Sequence, residues 1–381
     1  MKIVHVVDYF HPNMGYQENH LARIQASEGH SVMVVTGSSL TPWGISSFSS
    51  VCEEDQKWTQ AGIEIKRLPI LFECSHRVLL KGIKKILQNF QPDWVHVHGY
   101  ATLNALLCAV FKKTLPFKLL IDDHMLFSGG KNRFARVLNG IFKYTASRFL
   151  QNNADRLVAV SEETKTFMIQ MYGVSAEKIE IIPLGVDRSL FFPSSQHRQS
   201  FRKKFNISEE EVLILYTGKI NPDKNPLFLL EASLPLWKKG LLFRCFFVGN
   251  KNSDYMKKME KFIAKNKIDS FVHIHESVPA KQLAPFFNMA DIAVWPVQSS
   301  MSSLEAMSCG CPVILSRSPA NIERTSLGSG SLFSPGNLFE LSNCLEKLIE
   351  NATLRKEMGQ KGILHTETLD WKRIAQKFLP A

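Results

Sequence analysis

The sequence lacks the patterns that mark several large protein classes. Its seven cysteines, at 52, 74, 108, 245, 309, 311 and 344, are odd in number and scattered, and only Cys309 and Cys311 are close together. Cys-Gly-Cys lacks the paired spacing of a zinc site, so neither a disulfide framework nor a zinc module is expected, and a reducing compartment fits best. No apolar run approaches the roughly 20 residues that span a bilayer; the longest nearly uncharged one is Ala101 to Phe111. The first segment, Met1-Lys2-Ile3-Val4-His5-Val6-Val7-Asp8, meets an acidic residue after a short apolar run, unlike a signal peptide. A cytoplasmic location is expected, with peripheral attachment to the inner face of the cell membrane left open. There is no Walker P-loop and no Gly-x-Gly-x-x-Gly, which weighs against ATPase and dinucleotide readings. Zinc-finger, RNP and helix-turn-helix signatures are absent too, so nucleic acid is not an expected partner.

What is present is a 381-residue chain, 45% hydrophobic and 21% charged, the composition of a soluble protein with two domains of ordinary size. Its net charge of +11 is unevenly spread. Residues 75–150 hold twelve basic residues against three acidic ones, a balance of +9, which speaks of partners rather than fold. Several of those basic residues alternate with apolar ones at helical spacing, in Val78–Leu87 and in Asn132–Tyr144. Two helices burying their stripes in their own domain would produce this pattern. So would a surface attracted to anionic lipid.

Strand-like and helix-like stretches alternate along the chain. Ile3–Val7, Ser31–Thr36, Ile63–Leu68, Trp94–His98, Lys118–Ile121 and Arg156–Val160 read as strands, with helices over Glu18–Glu28, Val78–Phe90 and Thr102–Lys112. The alternation pauses near Ile181–Asp187, and the polar stretch Pro193–Gln199 reads as an interdomain connection. It resumes with strands over Val212–Tyr216, Phe243–Val248, Val272–Ile274, Ile292–Trp295, Val313–Leu315 and Ser331–Phe333. The expectation is α/β, two doubly wound domains in series, with ligands at the carboxyl ends of the strands and in the cleft between domains.

Three segments could carry chemistry. In Ala290–Ile314 a strand, a hydroxyl-rich turn (Gln298, Ser299, Ser300, Met301, Ser302, Ser303), a helix and a second strand follow one another. A helix that starts past a strand end aims unpaired N–H groups at an anion, and Glu305, about one turn in, could accept from a ribose diol. Ser302-x-x-Glu305 is equally a capping box that merely closes the helix. In Leu213–Pro226 a strand ends at Gly218, and Lys219 and Lys224 sit in the loop before Pro226. They could grip one diphosphate or be ordinary solvated lysines. In Leu119–His124, His124 follows a strand. Asp122, Asp123 and His124 make poor joint metal ligands, since neighbours on a strand point to opposite faces. Gly15 follows the first strand and would let backbone approach a ligand.

Glu305-Ala306-Met307-Ser308-Cys309-Gly310-Cys311-Pro312-Val313 resembles the signature of the family 4 retaining glycosyltransferases with the GT-B fold. Val160-Ser161-Glu162, Ile182–Asp187, Gly218-Lys219 with Lys224, and Leu369-Asp370-Trp371-Lys372 are similar to further family segments, in the same order. The resemblance implies two Rossmann-like domains facing across a cleft: an acceptor domain over 1–190, completed by a C-terminal helix at 367–381, and a nucleotide-sugar domain over 191–366. It implies that Glu305 binds the donor ribose, that Lys219 and Lys224 neutralise the diphosphate, and that His124 lies near the transferred sugar. Gly15 falls in the N-terminal glycine loop, where Met14 replaces a second glycine. Val297 stands where the family usually has another glutamate, so that Gln298 or the serine turn would take over its contacts.

The expected activity is retaining transfer of a hexosyl group from a nucleotide diphosphate sugar, without metal or other cofactor. The acceptor would be a glycan or lipid-linked hydroxyl in cell-surface polysaccharide or lipopolysaccharide assembly, and residues 75–150 would lie on anionic membrane. Two other readings stay open: a catalytically silent, glycosyltransferase-like scaffold subunit, which Val297 favours, and a nucleotide-sugar epimerase on the same architecture.

Overall fold

Runs such as Ile3–Val7 and Leu213–Tyr216 are buried along their whole length, as strands are when helices cover both sheet faces. The computed structural model describes residues 1–13, 15–39, 48–74, 77–127, 133–297, 299 and 301–379. The chain forms two units, Met1–Leu184 with Trp371–Ala381, and Gly185–Asp370. The division falls after Leu184 rather than at 190, and the returning segment starts at Trp371 rather than 367.

The first unit holds β1 (Lys2–Val7), β2 (Ser31–Gly37), β3 (Ile63–Leu68), β4 (Ile70–Cys74), β5 (Arg77–Leu80), β6 (Trp94–His98), β7 (Lys118–Asp123), β8 (Arg156–Ala159) and β9 (Ile179–Ile181). Seven of them form a parallel sheet in the order β3-β2-β1-β6-β7-β8-β9, and β4 and β5 pair as an antiparallel ribbon. Strand order reverses between β1 and β6, which opens a crevice at their carboxyl ends. The returning helix, Trp371–Phe378, buries Trp371, Ile374, Ala375 and Phe378, and its Trp371 stacks on His20 of helix Gln17–Ser27.

The helix expected over Val78–Phe90 is a strand followed by a helix. Gly82, at φ 103°, caps a helix that runs only over Ile83–Phe90, and Val78–Leu80 belong to β5. A left-handed glycine stops the helix from extending backward, so the lysines of 81–85 do not share one helical face.

The second unit holds β10 (Val212–Thr217), β11 (Phe243–Val248), β12 (Val272–His275), β13 (Ile292–Trp295), β14 (Val313–Ser316) and β15 (Gly330–Phe333). They form one parallel sheet in the order β12-β11-β10-β13-β14-β15, reversing between β10 and β13. The stretch Pro193–Gln199 is not a linker. Ser194 accepts from the His197 amide and starts a helix over Ser195–Lys204, a side-chain cap that a polar composition conceals. Arg202 of that helix is buried and paired with Asp291 at 3.1 Å.

Candidate active site

Each unit presents polar side chains at the strand ends beside its own reversal point. In the second unit β10 ends at Gly218, which adopts φ 144°, a backbone open to glycine. A Cβ on Gly249 would lie 1.7 Å from the Gly218 carbonyl oxygen, so the backbones after β10 and β11 touch. Tyr216 Oη donates to the Lys219 carbonyl at 2.7 Å, and Asn221 Oδ1 accepts from the Lys224 amide at 3.1 Å. Lys219 is exposed and Lys224 half-buried. Burial and the charge of Lys219 both pull the Lys224 ammonium below its ordinary pKa. Asp223, in the same loop, pulls the other way, so the loop holds two cations and a carboxylate.

Past β13, helix Met301–Ser308 begins at the strand's carboxyl end. Ser302 is thus the second residue of the helix and Glu305 its fifth. Glu305 is half-buried; burial, and secondarily Asp187, push its carboxyl up to about 8. Two of the serines brace the turn. Ser299 Oγ donates to Asn321 Oδ1 at 2.5 Å, and Arg324 Nη1 donates to both Ser299 Oγ and Ser303 Oγ at 2.7 Å. Burial lowers the Arg324 guanidinium to about 10. Met301 and Ser302 are half-buried and Ser303 is fully buried. Val297 is 45% exposed. Gln298 and Ser300 lie outside the described residues, as does Met14.

In the first unit Gly15, at φ 52°, follows β1, and His124 follows β7, its side chain 38% exposed. Asp122 and Asp123 part to opposite faces. Asp122 is fully buried among His96, His98 and Gln17. Asp123 is raised to about 6 by burial, against the pull of His124 and of Arg77. Burial alone would raise Asp122 as well, but His98, His96 and the hydrogen bonds around it hold its carboxyl well below the usual range. His124 shows the converse. Burial would lower it, yet Asp122, with help from Glu18 and Asp123, raises it. His5, His96 and His98, and separately His98, Asp122 and His124, bring ligand atoms within 4.8 Å of one another, a spacing a transition metal could use. Within the protein many of these atoms already pair with each other.

Asn321, Arg324, Gln17, His5 and His96 join these clusters although motif reading passes over them. None belongs to a local pattern, and pairing across the sheets brings them in.

Comparison with known proteins gives this geometry a context. The family model described as Glycosyltransferase Family 4 matches residues 19–190, and that described as Glycosyl transferases group 1 matches residues 197–365. The chain is 24% identical over 239 residues to the D-inositol 3-phosphate glycosyltransferase of Kribbella flavida, covering 60% of this chain and 56% of that one. It is 26% identical over 313 residues to the protein of the same name in Arthrobacter sp. (strain FB24), covering 78% and 72%. The alignments to the first curated relatives thus span little more than half of their length. Among solved structures, Anabaena Alr3699/HepE in complex with UDP has a TM-score of 0.78 at 18% identity, covering 99% of this chain and 98% of that one. WaaG, a glycosyltransferase involved in lipopolysaccharide biosynthesis, has a TM-score of 0.68 at 18% identity over the same shares. Those identities carry the fold alone. With one family model on each half and a shared architecture throughout, the chain belongs to the family 4 glycosyltransferases of the GT-B fold.

Proposed function

We propose that this protein is a retaining glycosyltransferase that moves a hexosyl group from a nucleoside diphosphate sugar to an acceptor hydroxyl. One observation carries the reading. Lys219 and Lys224 lie after β10, and the amino end of helix Met301–Ser308, with Glu305, lies after β13. These strands are neighbours across the reversal of the second sheet. Cations and oriented N–H groups there suit a diphosphate, and a carboxylate one turn away suits a ribose diol. The structures of HepE with UDP and with UDP-glucose support a uridine diphosphate sugar.

In the proposed route the sugar C1–O bond to diphosphate breaks as the lysines and helix N–H groups take up the leaving group's charge. The acceptor oxygen bonds to C1 on the same face, and its proton passes to the departing phosphate oxygen. The positive groups are side chains, so the route calls on no metal or other cofactor. Gly15 and His124 of the first unit would meet the transferred sugar.

The acceptor we propose is lipid-linked or a glycan of cell-surface assembly, handled at the cytoplasmic membrane face. Helix Arg133–Thr145 supports this: Val137, Ile141 and Tyr144, spaced four and three apart, are 61%, 56% and 86% exposed. An apolar stripe left outside, within a strongly basic stretch, suits anionic lipid. Val297, exposed where a glutamate is usual, keeps a second reading, that of a silent scaffold.

The deciding experiment incubates the purified protein with UDP-sugars and membrane lipid extract, with NMR of the product's anomeric configuration. A retained-configuration glycoside supports the proposal. Inversion removes the retaining route. Conversion of the donor without acceptor points to an epimerase, and donor binding with no turnover points to the scaffold.

A further inference from the structure

The serine turn after β13 is tied to the segment that follows the next strand. Helix Pro319–Arg324 comes after β14, and its last residue reaches across to the turn. Arg324 Nη1 donates to Ser299 Oγ and to Ser303 Oγ, both at 2.7 Å. Ser299 lies two residues before helix Met301–Ser308 and Ser303 is its third residue, so one guanidinium spans the helix start. Ser299 Oγ donates in turn to Asn321 Oδ1 at 2.5 Å, and Asn321 Nδ2 donates to the Ser316 carbonyl at 2.7 Å. A hydroxyl has a single proton to give, so that of Ser299 stays within the protein.

This brace puts a cation where helix stability alone would favour an acid. The amino end of a helix carries partial positive charge, and a positive side chain beside it is unfavourable. Arg324 sits there half-buried, with two of its hydrogen bonds going to neutral hydroxyls. Burial lowers its guanidinium, while the exposed Glu323 pulls the other way. Its charge also reaches His365 of helix Ala352–Glu367, which burial and then Arg324 hold below the ordinary value. A glutamine could donate to the serines as well. What the guanidinium adds is charge, and a cation beside a helix amino end favours an anion.

We infer that Arg324 is a positioning residue for the donor's diphosphate: through Ser299 and Ser303 it fixes the turn that meets the phosphates, and it sets a positive charge behind that turn. In the sheet order β10-β13-β14 the strand before the turn is the middle one. Lys219 and Lys224 follow β10, and Arg324 comes from the segment after β14, so positive groups flank the turn from both neighbouring strands.

The inference rests on the donor reading above, and its test separates the two. Calorimetry measures the binding of UDP and of uridine to the full chain in the wild type, Arg324→Gln and Arg324→Lys. Glutamine keeps a donor for the serines and loses the charge; lysine keeps the charge. Arg324→Gln should weaken UDP binding about tenfold, as loss of one nearby charge allows, and leave uridine binding unchanged. Arg324→Lys should bind UDP much as the wild type does. A merely structural brace would tolerate glutamine, or would weaken both ligands alike. UDP affinity unchanged in Arg324→Gln, or an equal loss for UDP and uridine, overturns the inference; if Arg324→Gln does not fold, a loss of UDP affinity in Arg324→Lys does so alone. A wild type that does not bind UDP overturns the donor reading together with the inference.

Discussion

The two units solve the placement of charge at strand ends in opposite ways. In the first, a buried carboxylate accepts hydrogen bonds from His96, Gln17 and the Gly99 amide, and burial keeps His96 down at about 4. In the second, Lys219, Lys224 and Asp223 share one loop, and burial pushes the Glu305 carboxyl up to about 8. In the first, burial is offset at Asp122 by its neighbours, whereas in the second burial leaves Glu305 raised and Lys224 lowered. On the same sheet architecture the first unit thus sets its polar groups on strands and a helix (His5, His96, His98, Asp122 and Gln17), and the second sets its lysines on the loop after β10.

The largest effect that sharpens this comparison is expected from Lys224→Ala. A charge-assisted contact contributes roughly 1.5–3 kcal/mol, so kcat/KM should fall by about 10- to 150-fold and UDP affinity with it. Calorimetry and initial rates check this, and unchanged values would remove the lysine pair from the mechanism. Glu305→Gln should weaken UDP binding by about tenfold and yet stabilise the unliganded protein. The sign follows from the raised pKa. Between the unfolded value of 4.5 and the folded value of about 8 the native carboxyl holds a proton the unfolded chain has released, so ionisation favours unfolding as pH rises. The Tm advantage of the variant should therefore be absent near pH 4.5, grow up to about pH 8 and then level off. UDP binding near pH 7 should release a proton in the wild type, seen as buffer-dependent heat, and not in the variant. The smallest effect is expected from Ile141→Glu on the first unit. It should reduce co-sedimentation with anionic vesicles by about tenfold, as burial of one large aliphatic side chain allows, without altering UDP affinity. Equal binding of the wild type to neutral vesicles would break the electrostatic half of that expectation.

Much of the architecture was legible in the sequence because buried parallel strands announce themselves. Runs such as Phe243–Val248 are apolar throughout, and their spacing leaves room for covering helices. The errors arose where one residue outweighed a pattern. Gly82 split an apparent helix, and Ser194 turned an apparent linker into a helix start. The ribbon of β4 and β5 hid because its outward residues, such as Leu71 and Phe72, are apolar yet exposed, which removes the alternation that betrays a half-buried strand. At the site, residues that follow a strand directly, such as Lys219 and His124, were readable from position. Gln17 and Asp122 stand 105 residues apart, and Ser303 meets Arg324 only through the fold. Such pairs depend on sheet order and register, which no local spacing encodes.

The helix Trp371–Phe378 has a further consequence for how the chain comes into being. Phe378 lies against His96 of β6, with ring centroids 5.2 Å apart, and Arg156 of β8 donates to the Lys377 carbonyl at 2.8 Å. Synthesis proceeds from the amino end, so the ribosome delivers the whole second unit before the piece that closes the first. The first sheet therefore keeps one flank uncovered until helix Trp371–Phe378 has been made and docks on it.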